Sequence, residues 1–94
     1  MSQPYVITWS APFTRAARKF FSRHRDLSDR FSAVLDQLRV NPFAPSLRLH
    51  PLAGDLAGLH AVSLTYTYRI TLYLHIKDTQ IVLVGIGTHD EVYG

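Results

Sequence analysis

The 94-residue sequence has no cysteine, little charge and no long apolar run. Without cysteine it can form no disulfide scaffold, no thiolate metal site and no cysteine nucleophile. No eighteen apolar residues follow one another, and the N-terminus has no basic segment that leads into an apolar stretch. We therefore expect neither a membrane span nor a secretion signal, and we expect the protein in the cytoplasm.

The motifs of several enzyme classes are also missing. The sequence has no GxSxG elbow of serine hydrolases and no GxxxxGK[ST] phosphate-binding loop. Its five histidines match neither HxxxH nor HExxH spacing, and carboxylates are few. The sequence therefore predicts no metal site and no cofactor.

The composition, with 47% apolar and 18% charged residues, is typical of one globular domain over residues 1–94. Its charge is uneven, because residues 1–50 hold eight of the ten basic residues and three of the seven acidic ones. Five basic residues precede the first acidic one: Arg15, Arg18, Lys19, Arg23 and Arg25. Guanidinium groups match phosphate well, so this half indicates either a polyanionic partner or, equally, a solvated helix face.

The first half is predicted to form a strand and two helices. Tyr5, Ile7 and Trp9 alternate as in a strand, while Ser10 and Pro12 suit the start of a helix. Two apolar stripes at helical spacing follow, Phe13, Ala16, Ala17, Phe20 and Phe21 in one helix and Leu27, Phe31, Val34, Leu35 and Leu38 in the other. With the stop at Asn41-Pro42, they predict an antiparallel helical hairpin.

The second half is predicted to form a β-meander, with a short strand near 47–50 and longer strands over 59–66, 68–76 and 80–86. Alternation from Tyr68 to Ile76 gives one apolar face, and Arg69, Thr71, Tyr73 and His75 fall on the other. We expect the hairpin to cover the apolar face. The predicted fold class is α+β: an N-terminal strand, then an antiparallel two-helix hairpin packed on one face of a mainly antiparallel sheet.

Polar groups on the uncovered sheet face are candidates for chemistry. Arg69 stands in an apolar strand, so it must face water or a counter-charge. The alternative to a functional role is a structural one, in which Arg69 pairs with a neighbouring acid or caps a loop carbonyl. Histidine is the side chain best suited to moving protons near neutral pH, and His50, His60 and His89 lie near strand ends. RNA cleavage needs little more, because the 2′-hydroxyl is the nucleophile and the protein only moves protons and neutralises phosphate.

Four segments carry a family resemblance. They are His50-Pro51-Leu52-Ala53-Gly54, Leu56-Ala57-Gly58-Leu59, Tyr68-Arg69-Ile70 with Tyr73, and Gly87-Thr88-His89-Asp90-Glu91-Val92-Tyr93. In this order, behind a helical hairpin, they resemble the RelE/ParE superfamily of bacterial type II toxins. The resemblance is strongest to its YafQ branch of ribosome-associated mRNA endonucleases.

The resemblance implies roles for particular residues. It makes His50 and His89 the proton-transfer pair, Tyr93 the aromatic contact to the target nucleotide, and Arg69 a group that neutralises phosphate. Contact with RNA is expected from a wider set, Arg15, Arg18, Lys19, Arg48 and His60. An edge-strand histidine without a role is the alternative for His60.

The sequence also departs from the family pattern. YafQ-like enzymes carry a histidine and an aspartate where this sequence has Ser63 and Thr67, and RelE itself has basic groups where this chain has Leu64. The resemblance implies a metal-independent toxin that cleaves mRNA on the ribosome and binds a cognate antitoxin. The alternatives are a ParE-like inhibitor of DNA gyrase, against which His50 and His89 argue, and an inactive member that only binds its antitoxin.

Overall fold

The computed structural model describes residues 3–93, with the backbone alone for Tyr93. In chain order its elements are β1 (Val6–Trp9), α1 (Ala11–Arg23), α2 (Ser28–Val40), β2 (His50–Pro51), β3 (His60–Ser63), β4 (Tyr68–His75), β5 (Gln80–Thr88) and α3 (His89–Tyr93). Short 3-10 turns stand before α2, β2 and β3. None of the helices in this described range has the length and apolar character that crossing a membrane requires.

The helical hairpin begins and ends at the predicted signals. The Ser10 hydroxyl accepts a hydrogen bond from the Phe13 amide at 3.1 Å, and a proline occupies the first turn of α1. Helix α2 ends at Val40, directly before Asn41. Both helices bury the predicted stripes in large part, through Phe13, Ala17 and Phe20 in α1 and Phe31, Val34, Leu35 and Leu38 in α2.

The five strands form one sheet in the order β1-β5-β4-β3-β2. Strand β1 runs parallel to β5, and every other pair is antiparallel, which confirms the predicted fold class. The register places Arg69 between Ser63 on one side and Gly87 on the other, and it places His50 opposite Ala61. Since side chains alternate along a strand, His50 and Arg69 lie on the same face.

The core lies between the hairpin and the opposite sheet face. Its fully buried strand residues are Val62, Ile70, Leu72, Ile81 and Leu83, and Leu64, directly after β3, is fully buried as well. Two details of β4 differ from the prediction. Ile76 lies in the turn after β4 and is 58% exposed, while Thr71, expected on the polar face, is only 4% exposed beside an irregularity between Thr71 and Leu72.

Several strand boundaries also differ. The strand predicted near 47–50 is only His50–Pro51, because a 3-10 turn ends at Leu47 and Arg48 is left-handed at φ 53°. Strand β3 ends at Ser63, where a turn begins in which the Thr65 hydroxyl accepts from two later amides. Strand β5 continues to Thr88, two residues past the predicted end.

Candidate active site

The open sheet face carries a depression that we call the histidine depression. It is lined by His50, Arg69 and His89, with the segment 51–53, and has a volume of about 330 Å³. These three side chains come from β2, β4 and the start of α3. The structure therefore brings together residues separated by up to 39 positions in sequence, while their chemical roles stay predictions.

A backbone carbonyl group orients the His50 ring. Its Nδ1 lies 2.9 Å from the backbone carbonyl oxygen of Arg48. A carbonyl oxygen can only accept, so Nδ1 donates, and the neutral ring carries its proton there. The lone pair of neutral His50 is then on Nε2, the nitrogen that can accept a proton from a substrate.

His89 is positioned by a cap on α3. It is the first residue of this helix, and the Glu91 amide donates to the Thr88 hydroxyl at 3.2 Å. In return the Thr88 amide donates to the Glu91 carboxylate at 2.9 Å. This reciprocal pair is a capping box, which fixes the turn between β5 and His89. The His89 ring also lies 3.6 Å from the Asp90 carboxylate, but both side chains are well exposed and water weakens that pair.

The Glu91 carboxylate is also influenced by two basic residues of α1, Lys19 and Arg23. The hydrogen bond from the Thr88 amide holds the pKa of Glu91 below its ordinary value, and the Thr88 hydroxyl, Lys19 and Arg23 act in the same direction. A Cβ on Gly87 would lie 3.1 Å from the Glu91 Cβ, so glycine leaves room for the cap. Sequence reasoning missed this cap, although Thr88-His89-Asp90-Glu91 fits the T-x-x-E signature.

A second depression adjoins the first, and we call it the arginine pocket. It has a volume of about 240 Å³ and is lined by Arg30, Ser46, Arg48, Ser63, Thr65, Tyr66 and Arg69. Arg69 thus lines both depressions. Sequence reasoning predicted roles for Arg48 and Arg69 but missed Arg30, because a basic residue on the polar side of a helix carries no signal of a distant strand.

The remaining predicted residues lie elsewhere. Arg15, Arg18 and Lys19 are exposed on α1, and none of them lines the histidine depression. His60 is half-buried, and strand alternation places it on the face of Val62, which the helices cover. Its Nδ1 is buried and has no hydrogen-bond partner within residues 3–93. The contact predicted for the Tyr93 side chain lies outside the described residues.

The departures from the family pattern can be located too. Ser63 lines the arginine pocket beside Arg69, whereas Thr67 is exposed in the turn between β3 and β4. Over the part of the chain that the structure describes, no three histidine, cysteine, aspartate or glutamate residues are grouped so that they could hold a metal ion.

Comparison with known proteins gives structural matches only. No protein-family model matches the chain, and a search of curated proteins found no match. YafQ from E. coli strain BL21(DE3) superimposes with a TM-score of 0.80 at 20% identity, over 96% of this chain and 99% of YafQ. A YoeB/ParE toxin from Agrobacterium tumefaciens gives 0.73 at 16% identity, over 88% and 96% of the two chains.

A complex provides a third match. A chain of the E. coli DinJ-YafQ toxin-antitoxin complex gives a TM-score of 0.78 at 19% identity, over 97% of this chain and 99% of that one. At these identities the likeness establishes the fold and no more. The chain therefore shares its fold with YafQ and with the YoeB/ParE toxin.

Proposed function

We propose that this chain is the toxin of a type II toxin-antitoxin system and that it cleaves mRNA on the ribosome without a metal ion. The toxin role is supported by the fold that it shares with YafQ and a YoeB/ParE toxin. The reaction is supported by one observation, the histidine depression, in which two imidazoles and a guanidinium border the same space. Proton transfer and phosphate neutralisation are what RNA cleavage by its own 2′-hydroxyl requires.

The orientation of His50 favours His50 as the general base and His89 as the general acid. Nε2 of His50 takes the proton of the 2′-hydroxyl while that oxygen attacks the adjacent phosphorus. His89, in its protonated form, gives a proton to the 5′ oxygen as the bond between phosphorus and that oxygen breaks. The products are a 2′,3′-cyclic phosphate and a 5′-hydroxyl, and Arg69 stabilises the added negative charge on the phosphate oxygens in the transition state.

Other surfaces would bind the ribosome and the message. Arg15 and Arg18 are exposed on α1 and are proposed to meet phosphates of ribosomal RNA. Tyr93 keeps its proposed contact with the target nucleotide. Because phosphate contacts release counterions, association with the ribosome should weaken steeply as salt is raised.

A cognate antitoxin is the proposed protein partner. The E. coli YafQ structure with the same fold is known in complex with DinJ. A partly disordered peptide that orders on binding could cover the cationic open face of the sheet. Antitoxin binding would then block access to the histidine depression.

The proposal is tested by inducing the protein in a bacterial host and mapping the 5′ ends of cellular mRNA. We expect codon-aligned cuts with the wild-type chain and their loss with His89→Gln or His50→Ala, since general acid-base groups contribute about 10²- to 10⁴-fold. His75→Gln is the matched control, because His75 is exposed at the end of β4 and lines neither depression.

The contrary outcomes are distinct. Cuts that persist in both histidine variants would refute the acid-base assignment. Intact messages with arrested replication would instead identify a ParE-like gyrase inhibitor. Intact messages with normal growth would identify an inactive antitoxin-binding member.

A further inference from the structure

The arginine pocket has a composition that is unusual for a small depression. Three of its lining residues, Arg30, Arg48 and Arg69, carry guanidinium groups, and none of its lining residues is acidic. The ion pairs found in residues 3–93 are Arg39 with Asp36 and His89 with Asp90, so none of these three arginines has a carboxylate partner there. Like charges that border one small space repel each other, and a bound anion would relieve that repulsion.

The Arg30 side chain is held in place by a contact to the backbone. Nε of Arg30 donates to the carbonyl oxygen of Leu64 at 3.0 Å, which ties α2 to the turn after β3. Arg48 has a left-handed backbone, and its carbonyl oxygen is the one that orients His50. The residue that orients the proposed base thus also contributes a charge to the arginine pocket. A guanidinium held by one nitrogen still has two terminal nitrogens for a phosphate.

An aromatic side chain stands at the edge of the same pocket. Tyr66 lines it and is 95% exposed, in the turn between β3 and β4. An aromatic ring this exposed is not explained by packing. Beside a cationic groove, such rings commonly stack on the bases of single-stranded nucleic acids.

We propose that the arginine pocket binds a second phosphate of the RNA strand that is cleaved in the histidine depression, while Tyr66 stacks on a base of that strand. The shared Arg69 makes the two depressions adjacent, so one strand can occupy both. The inference rests on the proposed function, to which it adds a strand-binding subsite that includes Arg30, Ser63 and Tyr66.

The test compares binding of two short strands to the full chain at low salt. The probes are a deoxydinucleotide with one internucleotide phosphate and a deoxytrinucleotide with two such phosphates. Both probes lack the 2′-hydroxyl, so the chain cannot cleave them. We expect the second phosphate to raise affinity for the wild-type chain, and Arg30→Gln to remove that gain, about tenfold, with little change for the dinucleotide. The dependence of trinucleotide affinity on salt should fall by about one charge.

Matched variants separate a local effect from a general one. Arg39→Gln changes the same charge on the same helix but lies outside the pocket lining, so trinucleotide affinity should stay within twofold of wild type. Tyr66→Ala should weaken the trinucleotide severalfold. Because Tyr66 is exposed, this variant answers the question even if the loss of the Arg30 contact to Leu64 disturbs folding.

The results also distinguish the subsite from the proposed function. If the wild-type chain cleaves mRNA but neither Arg30→Gln nor Tyr66→Ala alters trinucleotide binding, the subsite is refuted and the endonuclease stands. If both variants weaken binding but the wild-type chain never cleaves, the subsite stands and the endonuclease fails. Equal binding of the two probes by the wild-type chain would overturn the subsite.

Discussion

The two faces of the sheet differ in what they bury. On the helix-covered face, Val62, Ile70 and Leu72 are fully buried. On the open face, the neighbouring positions of the same strands carry Ser63 and Arg69, which line depressions. Because side chains alternate along a strand, one segment supplies both surfaces, and a one-residue shift would exchange them. The covered face maintains the fold, and the open face is available for chemistry.

The open face is not uniformly exposed to solvent. Ala61 and Thr71 are paired across β3 and β4, and Thr71 is paired with Gly85 on β5. Both Ala61 and Thr71 are buried. This row of small residues shows that part of the open face is tightly packed, while the residues around Arg69 are not.

The largest effect is expected from the covered face. Leu72→Ala should lower the free energy of unfolding by about 2–5 kcal/mol, because it removes fully buried methyl groups and leaves a cavity. Denaturant unfolding followed by circular dichroism measures the change. The companion variant on the open face is Arg69→Ala, which should leave the unfolding free energy within about 0.5 kcal/mol.

The order of the two variants should reverse when RNA cleavage is measured, with the larger loss in Arg69→Ala. Arg69→Ala should reduce RNA cleavage by about 10²- to 10³-fold, as expected when a donor to developing charge is removed. Leu72→Ala should reduce it only in proportion to the folded fraction. An Arg69→Ala chain that unfolds would show that this arginine is structural, which was the alternative considered for it.

The packed row gives the next largest effect. A Cβ added at Gly85 would lie 2.7 Å from the Thr71 hydroxyl oxygen, so Gly85→Ala should destabilise the chain by about 1–3 kcal/mol. Thr71→Ala removes that oxygen, and the double variant should recover most of the loss. A thermodynamic cycle over the four chains measures the coupling, and an additive result would show that the row accommodates the methyl group elsewhere.

A smaller effect is expected at His60, whose buried Nδ1 lacks a hydrogen-bond partner among the described residues. His60→Leu should be neutral or stabilise the chain by about 1 kcal/mol, because it removes an unsatisfied polar atom. His75→Leu on the exposed end of β4 is the control and should change little. Loss of RNA binding by His60→Leu at unchanged stability would instead support the binding role predicted for His60.

Local pattern accounts for most of the fold. The apolar stripes of α1 and α2 and the alternation in β4 predicted most of the residues that these elements contribute to the core, because burial repeats with the period of each element. The pattern could not place the start of the strand predicted near 47–50, because Arg48 adopts a left-handed backbone there and β2 begins only at His50. Nor could it show that the Thr71 hydroxyl lies in the space that a side chain at Gly85 would take, since that depends on the pairing of β4 with β5.

Position in the predicted strands made Arg69, His50 and His89 candidates one by one, but their grouping was predictable only through resemblance. No local rule brings His50 and His89 to one depression, because their proximity depends on the order of β2 to β5 and on the cap of α3. Arg30 was missed for the same reason, since it meets Arg48 and Arg69 only in the tertiary structure. The cap at Thr88 differs from these contacts because it follows a local rule, the T-x-x-E spacing of Thr88 and Glu91.

The smallest effect concerns the cap that positions His89. Since the hydrogen bond from the Thr88 amide lowers the pKa of Glu91 in the folded chain, the carboxylate stabilises α3 above its unfolded pKa and loses that contribution as pH falls through the folded one. We expect the Thr88 amide resonance to titrate with a midpoint below the ordinary pKa of a glutamate carboxyl group. Glu91→Gln keeps a capping oxygen and should abolish this titration at unchanged neutral-pH structure. Asp55→Asn, at an exposed carboxylate distant in sequence, should leave it intact. A Thr88 signal that still titrates in Glu91→Gln would show that another group controls the start of α3.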